Sequence, residues 1–311
     1  MTGEISEGIL AGLWPRDLLW FVAYWGLLAL LAGLEIALPA FKQPPQKERR
    51  WPTNLGLGIV NTMLAPLVPV SAVWGAQWAQ NHGIGLLNVL GSPWWAAVIA
   101  TFVIRSLAGY LFHVSMHKVP LLWRMHRVHH LDTHLDFSTS LRAHPLELVT
   151  VFLMMAPIAI AFGLDPWALA AFEIVESFIS LLSHANLRLP EKLDRPLRWF
   201  LVTPNMHCLH HSSFQPETDS NYGQIFSFWD RLFGTHSVAP RAGYDAMQIG
   251  LAEVRDERAS DLWWQIKSPA LTIERLSANA AAANTLPQSA RASHEKKAAR
   301  ISTWPAKEAK R

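Results

Sequence analysis

The sequence predicts an all-α integral membrane protein, with a stem of about four transmembrane helices beneath a cytoplasmic helical cap that holds a histidine-rich dimetal site. Three observations predict it. Half of the 311 residues are hydrophobic and fifteen are Trp, a composition of membrane proteins. The apolar residues gather into long runs, and a helix that crosses a bilayer needs about 20 of them. Nine of the fourteen histidines fall into a clustered pattern that a bland helical protein does not need.

Five apolar segments follow in order. Glu4 and Glu7 replace the basic start of a signal peptide, so no cleavable leader is expected. Residues 17–38 form the first segment, and residues 55–78 the second, where Pro66 and Pro69 predict a kink. Residues 94–112 form the third and run directly into His113. Residues 146–162 and 167–182 are shorter and joined by a tight turn, so they form either a short spanning pair or a re-entrant hairpin. Trp14, Trp20, Trp51, Trp78, Trp94, Trp95 and Trp167 stand at segment edges as interfacial anchors.

Charge sets the orientation. Lys42, Lys47, Arg49 and Arg50 lie between the first two segments, residues 80–93 hold no Lys or Arg, and Lys118, Arg124, Arg127 and Arg142 follow the third. The positive-inside rule therefore puts the N-terminus outside and the histidine clusters and C-terminus on the cytoplasmic face. From residue 270 onward eight Lys/Arg oppose three Asp/Glu, a surplus of +5 that leaves the remainder at −2. That basic tail suits anionic lipid headgroups; no nucleic-acid motif is present. The single cysteine, Cys208, has no intramolecular disulfide partner.

The clusters are His113 and His117, then His126, His129 and His130, then His207, His210 and His211, with His184 alone at the end of the fifth segment. Residues at i, i+3 and i+4 share a helix face, so each cluster presents a row of imidazoles. Imidazole is the common ligand for Zn, Cu, Fe and Ni. Nine rings exceed one ion's needs, so two metals are the reading. Without metal, so many packed rings leave donors and acceptors in conflict. His82, His236 and His294 read as structural, and His134 as exposed or as a partner to a ligand. His144, just before the fourth segment, is a ligand, a partner to one, or a helix-start residue. Asp132, Asp136, Glu147, Asn186, Asp219, Asn221 and Asp230 are available to accept the ligands' outer N–H groups. Asn186 and Asn221 also stand as ligand alternatives.

Charges at membrane depth need a partner or a function. Arg105 lies two turns before His113, and Glu173, Glu176, Ser180 and His184 share one face of the fifth segment. Arg105 is expected to pair with Glu173 or Glu176 beneath the metals.

Taken together, the H-x3-H, H-x2-H-H and H-x2-H-H boxes resemble the fatty acid hydroxylase/sterol desaturase superfamily of membrane di-iron oxygenases. The likeness runs from Trp94 to Thr235 and includes Arg142-Ala143-His144-Pro145, Ser183-His184-Ala185-Asn186, Asn221-Tyr222-Gly223 and Trp229 through Thr235. It implies two Fe ions held by the eight clustered histidines and His184, with O2 as co-substrate. It also implies a lipid, sterol or carotenoid-like substrate taken from the bilayer, to be hydroxylated or desaturated. Affinity ordering favours Zn over Fe(II) at such ligands, so a purified sample can carry Zn. His144-Pro145-Leu146-Glu147 is not the His-Pro-Gly-Gly box of a fused cytochrome b5, so electrons are expected from a separate donor protein. The implied organisation is N-terminal transmembrane helices in 1–93, a di-iron domain in 94–240, a cytoplasmic segment in 241–276 and a disordered basic tail in 277–311. The competing readings are a membrane zinc-dependent lipid hydrolase, for which no cluster contains the needed carboxylate, and a metal transporter, which wants ligands on both faces.

Overall fold

The computed structural model describes residues 15–41 and 47–273, with side chains from residue 24 in the first stretch and from residue 49 in the second. The basic tail, His294, Glu4 and Glu7 lie outside the described residues. Within them the fold is helical, with only two isolated antiparallel bridges, Leu201 to Phe226 and Ser212 to Ile249.

The stem begins with α1 (Pro15–Ala37) and α2 (Lys47–Leu64). A 3-10 turn (Ala65–Leu67) and an extended step then lead to α3 (Ala72–Asn81). The prolines of the second segment thus break the helix where a kink was expected. Pro66 and Pro69 remove two backbone donors within four residues and leave too little helix between them to re-form. Ser71 restarts it, its side chain accepting the Trp74 N–H. After the short α4 (Leu86–Val89) comes α5 (Trp94–Lys118), which carries the third segment and the first His cluster as one continuous helix. Pro120 ends it, because Val119 before a proline turns extended, and α6 (Pro120–His130) folds back beside it.

The fourth and fifth segments form the hairpin α7 (Pro145–Phe162) and α8 (Pro166–His184). Gly163 closes α7 in the left-handed conformation at φ 63°, with the Leu164 N–H reaching back to the Ala159 carbonyl. A Cβ on Gly85 would stand 2.3 Å from the Gly163 backbone nitrogen, so only glycine there lets the two turns meet. At 18 and 19 residues, roughly 27–28 Å of helix, both are long and apolar enough to cross a bilayer.

Small residues let the stem pack closely. Ala72, Ala76 and Ala159 are buried with Phe112, Met116, Met155, Leu164 and Leu169 where α3, α5, α7 and α8 meet. The outer faces instead expose Ile59, Met63, Trp94, Ile99, Leu153 and Trp167. So much contiguous apolar surface belongs in lipid, and the chain is a membrane protein.

Above the stem, the cap contains α9 (Glu191–Leu197), α10 (Pro204–His210) and short helices between residues 215 and 270. Stem and cap are riveted by buried charge. Arg50 grips Asp132 through Nη2 at 2.9 Å and Asp136 through Nη1 at 3.0 Å, while Asn54 and Thr139 also donate to Asp132. The sequence places Arg50 in the loop between the first two segments, yet α2 starts early enough to bury it. Trp51 likewise donates to Asp136 at 3.1 Å and meets Phe137 edge-on, so it is no interfacial anchor. Asp132 and Asp136 therefore serve this junction and not the ligand imidazoles. Removing Arg50 would take away the cation that two buried carboxylates share. Arg50→Ala is expected to lose about 3–5 kcal/mol, read as a lower unfolding midpoint in detergent; wild-type stability would contradict the rivet.

Candidate metal centre

The nine pattern histidines converge at the stem–cap boundary in two sets. His113 and His117 of α5, His126 and His130 of α6 and His210 of α10 form one; within each set the ligand atoms lie within 4.8 Å of one another. His129 of α6, His184 at the end of α8, His207 of α10 and His211 just beyond it form the second. Each H-x2-H-H box therefore divides. The i, i+4 pair faces one set and the intervening ring the other, so the expected single row per cluster is corrected to a shared wall between two sets.

The orientation of these rings is informative. Nδ1 of His113 donates to the Tyr222 carbonyl at 2.7 Å, and Nδ1 of His210 to the Ser220 carbonyl at 2.7 Å. Nδ1 of His129 donates to the Arg142 carbonyl at 3.0 Å, and Nδ1 of His184 to the Ser180 carbonyl at 2.7 Å. A carbonyl can only accept, so in each ring the proton sits on Nδ1 and the Nε2 lone pair points inward. Yet the Nε2 atoms face each other, His113 to His210 at 3.1 Å and His129 to His184 at 3.0 Å. Neutral rings cannot hydrogen-bond lone pair to lone pair. Protonation is no remedy, since burial and then the neighbouring imidazoles hold His129 well below the ordinary value. The same causes, burial first, depress His130, His207 and His211, and burial takes His210 down to about 3. A cation in each set resolves the conflict, and the all-nitrogen donor set fits borderline transition metals.

The outer partners explain how the rings are held. Asn221 adopts φ 54°, its amide bonded to the Met206 and Ser237 carbonyls. Asp230 accepts the N–H groups of Tyr222 and Gly223 at 2.7 and 2.9 Å, and together these aim the Tyr222 carbonyl at His113. Glu147 accepts His126 Nδ1 at 2.8 Å, and Asp219 lies 3.3 Å from His117 Nδ1. Arg142 bonds the Val128 and Ala259 carbonyls and Asn54, which steadies its own carbonyl under His129. Four of these outer acceptors are backbone carbonyls, invisible to any reading of side chains. The Asn221-Tyr222-Gly223 and Arg142-Ala143-His144-Pro145 words each contain one of them.

Other expected residues fall elsewhere. His144 caps α7, its Nδ1 accepting the Leu146 N–H while Nε2 donates to the Ile266 carbonyl, so it is a helix-start residue. Asn186 clasps the Phe41 backbone, and Asn221 serves its loop; neither joins a set. His134 is half-buried beside Thr133. His82 stacks on Trp78 at the far end of α3, and His236 contacts Asn221.

Beneath the imidazoles lies a cavity of about 310 Å3, whose walls include His113, His129, His184, Phe112, Met116, Val151 and Met155. Arg105 and Glu176 also line it and pair at 2.7 Å. The expected ion pair is present, with Glu176 and not Glu173 as the partner.

Comparison with known proteins gives a consistent picture. Residues 98–235 match the family model described as fatty acid hydroxylase. The chain is 28% identical over 243 residues to ornithine lipid hydroxylase OlsE of Rhizobium tropici, covering 72% of this chain and 69% of that protein. It is 29% identical over 158 residues to alkylglycerol monooxygenase of Danio rerio, covering 51% of this chain and 33% of the relative. A very-long-chain aldehyde decarbonylase, GL1-6 of Oryza sativa subsp. indica, is 28% identical over 183 residues, covering 54% and 27%. The chain thus spans about a third of the alkylglycerol monooxygenase. No solved structure matches it significantly.

Depressed imidazoles make the metal-free protein acid-sensitive. Unfolded histidine titrates near 6.5 and these buried rings far lower, so the unfolded chain binds more protons as pH falls through that interval. The unfolding midpoint of metal-stripped protein should therefore fall steadily between pH 7 and pH 5, above the range of ordinary carboxylates. A flat profile there would contradict the neutral, buried rings.

Proposed function

We propose that this chain, whose residues 98–235 match the fatty acid hydroxylase family model, is a membrane-bound di-iron oxygenase that hydroxylates or desaturates a lipid. His113, His117, His126, His130 and His210 hold one iron, and His129, His184, His207 and His211 the other. When bound, the iron pair supplies the activation of O2 needed to break an unactivated C–H bond. The observation that carries the reading is the inward convergence of Nε2 lone pairs that have no partner but a cation.

The protein's own residues do the rest. The carbonyls of Tyr222, Arg142, Ser180 and Ser220 fix each ring's tautomer and aim, and Glu147 adds negative charge behind His126. Phe112, Met116, Val151 and Met155 give the cavity an apolar wall that excludes water and accepts an acyl chain from the stem. Hydroxylation consumes the C–H bond, O2, two electrons and two protons, and yields an alcohol and water. The electrons come from a separate donor protein that docks at the cap. The metal centre and C-terminus face the cytoplasm, as supported by the absence of Lys and Arg from residues 80–93 at the other end of the stem. The relatives named for alkylglycerol and ornithine lipid favour a lipid substrate.

A zinc hydrolase would need a carboxylate free to activate water. Glu147 through Oε1 and Asp219 through Oδ1, the carboxylates that reach the imidazoles, face the outer nitrogens and not the inward Nε2 atoms. Comparing lipid extracts of cells with and without the protein should reveal a species that gains an oxygen or loses two hydrogens only when O2 is present. His184→Ala should lower its formation by more than the about 10–100-fold typical of losing an outer partner. Equal turnover without O2 would favour hydrolysis and overturn the proposal.

A further inference from the structure

The Arg105–Glu176 pair has no role in holding the imidazoles, and its placement needs a reason. Its side chains are 7% and 20% exposed, at the depth of the stem. Only one contact, Nη2 to Oε2, joins them; among the described residues Nε and Nη1 of Arg105 and Oε1 of Glu176 have no hydrogen-bond partner. Arg105 also lies over the Phe172 ring at 5.1 Å, which holds the guanidinium plane but satisfies no N–H. A pair kept for stability alone would be matched by apolar residues of similar volume, so one left half-satisfied beside a cavity points to a ligand.

The cavity wall is close-packed at this point. A Cβ on Gly109, one turn after Arg105, would stand 2.9 Å from Arg105 Nη1 and 2.3 Å from Gln224 Oε1, so the glycine makes room for both side chains. Resting on the oxygenase reading, we infer that Arg105, Glu176 and Gly109 form a polar subsite that binds an uncharged hydroxyl or amide of the lipid substrate. The chemistry follows from the orphaned atoms. Nη1 offers a donor and Oε1 an acceptor, so the matching group must both accept and donate. The pair carries no net charge, and Glu173 one turn earlier on the same face adds a carboxylate, so an anionic headgroup is disfavoured. A hydrocarbon chain leaves both orphans unmet. Arg105 precedes His113 by eight residues, which sets the polar group roughly 12 Å along the helix from the metal centre. That separation is what fixes which carbon of the chain is presented for reaction.

The test is lipid binding by the full-length protein without added metal, followed by native mass spectrometry. The probes are 1-monopalmitoylglycerol for the hydroxyl, palmitamide for the amide, and n-hexadecane. The wild type is expected to prefer at least one polar probe over hexadecane by about 10–100-fold, as for hydrogen bonds to charged groups. Whichever polar probe is preferred identifies the group. R105M/E176L removes both partners of the pair and should erase the preference while still binding hexadecane. G109A, whose Cβ would displace the flexible ends of Gln224 and Arg105, should weaken it, and it decides the matter if the double variant fails to fold. Equal binding of all three probes by the wild type, or an unchanged preference in the variants, would overturn the subsite. Because binding is read without metal or O2, that failure is separable from failure of the oxygenase reading, which shows only in turnover.

Discussion

Inward-facing lone pairs are the constraint on which the rest of this structure depends. Each ring whose Nδ1 is tied to a carbonyl has its proton placed for it, and the Nε2 atoms that remain crowd to about 3 Å. Such an arrangement is unfavourable in the absence of cations, because neither neutral nor protonated imidazoles can satisfy one another. The fold accepts this because the rings arrive on rigid elements. His113 and His117 ride on α5, His184 ends α8, and Pro120 turns α6 so that its cluster faces theirs.

Rigid delivery in turn requires that stem and cap stay in register. Two buried arginines hold them. Arg50 joins α2 to the loop after α6, and Arg142 joins that loop to Asn54 of α2 and to the Ala259 carbonyl of the C-terminal segment. Burial lowers Arg142 only to about 10, so it remains a cation at neutral pH. Its carbonyl meets His129, so the same residue that fastens the cap also aims a ring. Lower in the stem, small residues bring α3 against α7, and a cavity walled by α5, α7 and α8 reaches from the metal centre to the Arg105–Glu176 pair.

The nine ring positions were legible because helical spacing is local. His126, His129 and His130 share a turn in any helix, whatever the fold does with it. Which ring joins which set was not legible, since it depends on how α6 and α10 dock. Arg105 and Glu176 announced themselves by being charged within apolar runs. Choosing Glu176 over Glu173 needed the rotation of α8 against α5. The outer acceptors were mostly missed for a physical reason: Tyr222, Arg142, Ser180 and Ser220 act through backbone carbonyls, which every residue possesses. Asp132 and Asp136 looked like partners for imidazoles by proximity in sequence. They instead answer Arg50, which a longer α2 buries.

The most direct measurement is the metal content of the purified full-length chain, taken by elemental analysis beside a structure that locates the ions. Paired lone-pair clusters require two ions per chain, one within each imidazole set. A folded chain that keeps both sets of rings in place yet binds no metal, even after reconstitution with ferrous iron or zinc, would contradict the account at its base.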